Sequence, residues 1–120
     1  LWHQGESDTA GMSTDEYAAK LANVILASKR QAGWEFPWFV AQVSYHTPKE
    51  ASFNNIRDAQ KRLWDQGLAL QGPDTDTLTG DNRDGNGAGI HLSEKGLRAH
   101  GKLWDEKVAA WLDKVLAAER

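Results

Sequence analysis

Apolar residues recur along this chain in two rhythms, and their alternation predicts the fold. Tyr17, Leu21, Val24 and Ile25 stand at helical spacing behind Ser13 and Glu16. That pair forms a capping box, in which the serine oxygen accepts a backbone N–H and the glutamate reaches back. The helix is expected to stop between Gln31 and Gly33, with Gly33 as its C-terminal cap. Phe39 to Tyr45 is almost continuously apolar and rich in β-branched and aromatic side chains, the pattern of a strand covered on both faces. His46-Thr47-Pro48 ends it. Ala51 to Gln66 is helical again, with Phe53, Ile56, Leu63 and Trp64 on one side and Gly67 at the stop. Leu68 to Gln71 predicts a short strand. Gly72 to Gly89, dense in Gly, Asp, Asn and Thr, predicts a long ordered loop. Ser93 then caps a last helix running to about Ala118, whose apolar face includes Leu97, Trp104, Val108, Trp111 and Val115. At the other end, Leu1 to Gln4 reads as a strand end that breaks at Gly5.

The order is strand, helix, strand, helix, strand, loop, helix. Strands alternating with helices predict an α/β fold with a parallel sheet and right-handed crossovers. In such sheets ligands bind beyond the carboxyl ends of the strands. Three segments are expected there: Gln4 to Asp8, Ser44 to Thr47, and Gly72 to His91. A length of 120 residues suits a single small domain spanning 1–120. Three strands leave a parallel sheet short of cover, so an apolar edge is expected, closed by a companion N-terminal chain, a domain-swapped homodimer or a fragment of the same precursor. The chain opens at Leu1-Trp2 without an initiator Met, which supports the same expectation of a fragment or processed product.

Charge and composition narrow the chemistry. The 17 acidic and 14 basic residues are mixed along the chain with no basic run, which argues against a nucleic-acid partner. No apolar stretch is long enough to span a bilayer, so no membrane role is expected. Cysteine is absent, which removes disulfides, thiol catalysis and thiolate metal sites together. It leaves the compartment open, a secreted or periplasmic one included. The six tryptophans have two readings. Core packing is favoured for Trp64, Trp104 and Trp111 on helices; for Trp2, Trp34 and Trp38, packing and sugar stacking stand about even.

Three constellations could carry chemistry. His3-Gln4-Gly5-Glu6-Ser7-Asp8 offers an amide, a flexible backbone and two carboxylates at a strand end, although a polar loop that satisfies its own N–H groups fits the same residues. His91, after a glycine-rich loop and at the start of the last helix, suits a general base, against the commoner surface or capping histidine. His100 reads as a packing or surface residue. Asp74, Asp76, Asp81 and Asp84 crowd one loop, yet lack the spacing and terminal Glu of an EF-hand, so turn formation is the better reading. The four histidines show no zinc-peptidase spacing.

Two of these blocks carry a more specific resemblance. Trp2-His3-Gln4-Gly5-Glu6-Ser7-Asp8 resembles the W-x-Q-G-E-x-D block of SGNH-type serine esterases of the sialate O-acetylesterase and carbohydrate esterase family 6 (acetylxylan esterase-like) group. Gly89-Ile90-His91-Leu92-Ser93-Glu94-Lys95-Gly96-Leu97 resembles that group's terminal D-G-x-H block, and Gly72-Pro73-Asp74-Thr75-Asp76 the stretch ahead of it. The resemblance implies a three-layer, flavodoxin-like α/β/α hydrolase of which this chain is the C-terminal part. It implies deacetylation of carbohydrate esters through a serine, without a cofactor. By this match His91 is the general base, Gln4 the side-chain donor to the oxyanion, and Glu6 a brace for the loop.

Two departures qualify it. The family nucleophile sits in an N-terminal G-Q-S-N-like block, and none of Ser7, Ser13, Ser28, Ser44, Ser52 or Ser93 stands in such a context. Ala88 occupies the position of the triad aspartate, three residues before His91. The expected alternatives are a dyad, with a backbone carbonyl orienting the imidazole, or a substitute carboxylate, Asp84 first and Glu6 behind it. A non-catalytic relative, or a carbohydrate-binding or interaction module that keeps the fold, is the competing reading.

Overall fold

A computed structural model describes all residues from Leu1 to Arg120. Two strands, β1 (Phe39–Gln42) and β2 (Leu70–Asp74), pair in parallel, with Phe39 opposite Leu70 and an irregularity between Val40 and Gln42. Trp2 adds a parallel bridge on the far side of β1: its N–H donates to the Phe39 carbonyl at 2.8 Å and its carbonyl accepts from Ala41 at 3.0 Å. The expected first strand is thus present as a single bridging residue. Helix α1 (Thr14–Ala32) and helix α2 (Asn54–Asp65) cover one face, and α3 (Glu94–Ala118) covers the other. This is an α/β fold with helices on both sides of a small parallel sheet.

The helix ends follow their side chains. Ser13 Oγ accepts from the Glu16 N–H at 3.1 Å, while the Glu16 carboxylate turns to Lys20 at 2.8 Å instead of reaching back. Gly33 closes α1 in the left-handed region at φ 76°, donating to the Lys29 carbonyl. Ser93 Oγ accepts from Gly96 N–H at the start of α3. The larger core joins Tyr17, Leu21 and Ile25 of α1 to Ile56, Ala59 and Leu63 of α2 over Val40. Phe39, Ala41 and Trp104 form the smaller one, with Leu70, Val108 and Trp111 packed against it.

Three boundaries differ from the sequence expectation. Strand β1 ends at Gln42, although Val43, Ser44 and Tyr45 remain buried. Their N–H groups are taken by side chains: Val43 by Gln60 Oε1 at 3.0 Å, Ser44 and Tyr45 by Asp76 Oδ1 at 2.8 and 2.9 Å. Helix α2 starts at Asn54, not Ala51, because the Thr47–Glu50 turn and an extended Phe53 precede it. Strand β2 runs Leu70–Asp74, through the Gly72-Pro73 pair expected to open the loop, and it replaces the expected strand Leu68 to Gln71. Proline is tolerated there because β2 is the sheet's edge. Between β2 and α3 the loop folds into three one-turn 3-10 segments, Thr75–Thr77, Gly80–Asn82 and Gly85–Gly87.

Gly72 sets how closely the strands approach. A Cβ there would stand 2.8 Å from the Val40 carbonyl and the Ala41 nitrogen, both backbone atoms with little freedom to move. Gly72→Ala is expected to destabilise the domain by about 1–3 kcal/mol, the usual cost of overpacking. A urea titration checks this, and an unchanged midpoint would mean that β1 and β2 are not rigidly apposed.

Candidate active site

The strand ends converge as the topology requires. The Gln4–Asp8 turn follows the Trp2 bridge, Ser44 to His46 follow β1, and Thr75 follows β2, all at the carboxyl end of the sheet. One buried carboxylate, Asp76, ties these tips together. Beyond the Ser44 and Tyr45 N–H groups it accepts from Ser44 Oγ at 2.7 Å and pairs with Arg57 Nη1 at 2.7 Å. Arg57, on α2, also grips both oxygens of Asp74 at 2.8 and 2.7 Å. These contacts, the Asp74 hydrogen bond foremost, raise the Arg57 pKa above its ordinary value and keep it cationic. Asp74 and Asp76 are therefore ion-pair partners of an arginine, whereas the sequence predicts turn formation for them.

The Gln4–Asp8 turn is held from beneath. The Gln4 carbonyl accepts from Tyr17 Oη at 2.6 Å and from Gln60 Nε2 at 3.1 Å. Burial raises the Tyr17 phenol above its ordinary pKa, so it stays protonated and donating. Gly5 has no room for a side chain: a Cβ would lie 2.3 Å from the Val43 carbonyl. The Glu6 carboxylate accepts from the Gly5 N–H at 3.1 Å. His46 Nε2 lies 2.6 Å from the Glu6 carbonyl and 3.0 Å from Thr9 Oγ1, clamping the far side of the turn. The Gln4 side chain donates to Asp8 Oδ2 at 2.6 Å through Nε2, whose second N–H makes no hydrogen bond within the protein. Gln4 lines a cleft of about 190 Å³ together with Trp2, Tyr17 and Leu21.

His91 lies beyond the same end, on the loop into α3. Its carbonyl accepts from Asp84 N–H at 2.9 Å, inside a bridge between Arg83 and Leu92. Arg83 connects this segment to the strand tips. It donates to the Ile90 carbonyl at 2.7 Å, the Thr75 carbonyl at 3.0 Å and the Leu78 carbonyl at 2.5 Å, and its guanidinium sits 3.8 Å over the Tyr45 ring. The His91 ring is exposed and makes no hydrogen bond. The other three histidine rings are engaged: His46 as above, His3 Nε2 at 2.8 Å from Thr75 Oγ1, and His100 Nε2 accepting from Trp104 Nε1 at 2.9 Å. No hydrogen bond joins Gln4 to His91.

The carboxylates expected near His91 do not touch its ring. Asp84 Oδ1 is buried without a hydrogen-bond partner, and a Cβ on Gly89 would overlap it at 1.6 Å. The Asp84 carboxyl thus lies over Gly89, while only its backbone meets His91. Four of the six serines have other duties, and Ser52 is exposed ahead of α2. Ser13 and Ser93 cap helices, Ser28 accepts from Trp38 Nε1, and Ser44 is buried between Asp76 and the Phe53 N–H. Ser7 is exposed in the 3-10 turn Glu6–Asp8, and no serine is hydrogen-bonded to His91. Arg57, Gln60 and Arg83 carry no signal of a site in the sequence, and Asp76 stands there only as one of four aspartates of a turn-rich loop. Only burial reveals them, since each looks like an ordinary surface polar residue in the string.

The chain belongs to the family described as carbohydrate esterase, sialic acid-specific acetylesterase, whose model matches residues 1–110. No curated protein and no solved structure matches it.

Two outcomes test this construction. Asp76→Asn removes the charge facing Arg57 and is expected to cost about 3 kcal/mol in chemical denaturation; a loss within error of zero would show that the strand tips hold without it. His3 and His100 stack at 4.6 Å, and burial, the largest cause, lowers both pKa values below the ordinary 6.5. The unfolded chain then binds more protons than the folded one below that value. Stability should be full above pH 6.5 and fall as the pH drops through the lowered folded values. His100→Gln should flatten that slope between pH 7 and 5; an unaltered slope would place the pH sensitivity elsewhere.

Proposed function

We propose that this chain forms the histidine-bearing part of a carbohydrate O-acetylesterase, with the nucleophilic serine supplied by a companion N-terminal segment. The observation that carries the reading is the state of the four imidazoles: three are committed to internal partners and His91 alone is free and exposed at the strand-end side. His91 takes the serine proton as the oxygen attacks the acetyl carbonyl, then returns it to the departing sugar alkoxide; water repeats the cycle on the acyl-enzyme. The spare Gln4 N–H donates to the oxyanion, and Glu6 holds the turn. With Ala88 in the aspartate position and the Asp84 carboxyl packed over Gly89, His91 works as a dyad base.

The positions of the six serines favour one alternative, a relative that binds sugar esters without cleaving them. Acetate release from p-nitrophenyl acetate, with the companion segment present, separates the two. His91→Ala is expected to lower kcat by roughly 10²–10⁴-fold, the usual contribution of a general base. Equal rates would remove His91 from the mechanism. A fluorophosphonate adduct on any serine of residues 1–120 would overturn the companion nucleophile.

A further inference from the structure

Opposite the strand tips, the fold gathers a second group of aromatic side chains. Residues Gly33 to Trp38 lead into β1 and Gly67 to Ala69 lead into β2, so this surface lies at the amino end of the sheet. Two clefts open there, of about 330 and 310 Å³. Both include Lys29 and Glu35, which pair at 2.9 Å and form the shared ridge. One cleft is walled by Phe36, Trp38 and Trp111, and the other by Trp34 beside Arg30. Trp34 is 64% exposed and packs only loosely, its ring tilted 53° to Phe36 at 4.9 Å.

The tryptophan N–H groups single this surface out. Trp2, Trp38, Trp64 and Trp104 each donate to an internal acceptor: Tyr17 Oη, Ser28 Oγ, the Val40 carbonyl and His100 Nε2. Trp34 and Trp111 do not, and both line these clefts. An indole that serves only packing seals its N–H against a partner or buries its ring. Here two rings present an apolar face and an open donor together, next to a lysine, an arginine and a carboxylate. A pyranose matches that combination. Its C–H face stacks on the ring, and its hydroxyls both donate and accept.

We propose that the Trp34–Trp111 surface is a carbohydrate-binding site separate from the site of ester cleavage, which grips the sugar backbone of a polymeric substrate. The choice of a sugar as ligand rests on the proposed esterase function; the clefts and open indoles do not. Holding a chain at one end of the sheet raises the effective concentration of its acetyl groups at the other. Small esters, too short to reach both ends, gain nothing from it.

Native gels containing soluble acetylated xylan, or the same polymer chemically deacetylated, test the proposal. The wild-type protein should be retarded in both gels, because the surface reads sugar rings and not esters. Trp34→Ala, and Trp111→Phe with a phenyl ring kept but the N–H removed, should each weaken retardation at least tenfold, with circular dichroism, and hydrolysis of p-nitrophenyl acetate measured with the companion segment present, unchanged. His91→Ala should lose hydrolysis and keep retardation, so failure of the esterase reading and failure of this one show in different lanes. Three results overturn it: no retardation of wild type, retardation that survives both tryptophan changes, or self-association that Trp34→Ala abolishes while polymer binding persists.

Discussion

The domain turns on one carboxylate. Asp76 is 8% exposed and accepts from two backbone N–H groups, a serine hydroxyl and an arginine. A buried charge left unpaired is prohibitive, and this one is saturated. Through it the end of β1, the end of β2 and the middle of α2 become a single unit. The Ser44 and Tyr45 N–H groups would otherwise need a neighbouring strand. Because Asp76 supplies their acceptor, the chain leaves the sheet at Gln42 and turns across the tips, which creates the surface on which the Gln4 turn rests.

That surface explains the division of labour among the polar residues. Gln60, fully buried, satisfies Val43 on both its N–H and its carbonyl and still donates to Gln4. Arg83 repeats the device on the other flank, binding three carbonyls from two segments while its face rests on Tyr45. Side chains here do the work of missing sheet neighbours. The loop that carries His91 is thereby fixed to β2 through backbone carbonyls, and the imidazole itself stays unencumbered.

Much of the architecture was legible in the string, because periodicity and capping are local. Ser13, Gly33 and Ser93 cap where their types predict, and the three helices fall in order. The misses are non-local. Gly72-Pro73 opens the expected Gly72 to Gly89 loop by composition, yet becomes strand because an edge position excuses the proline and the missing Cβ lets β2 approach β1. Val43 to Tyr45 carries a strand pattern, but acceptors from distant residues capture its N–H groups first. The candidate site divides the same way. The Glu6 carboxylate accepts from the adjacent Gly5 N–H, a local bond. The roles of Asp76, Arg57 and Gln60 depend on partners that no spacing rule brings together.

The tryptophans show why residue type alone leaves function open. Trp104 and Trp111 both sit on α3 at positions of its apolar face, and sequence gives them one reading. The structure separates them by a single donor: Trp104 gives its N–H to His100, whereas Trp111 leaves its own open beside Phe36 and Trp38. The first seals the core over a neutral imidazole. The second completes packing against Phe39 with an edge-on contact at 5.9 Å and still presents a polar group outward. A residue that both supports a core and faces solvent through its only donor is placed for recognition. The same helix therefore seals the core through Trp104 and, two turns on, leaves an indole N–H without an internal acceptor at Trp111.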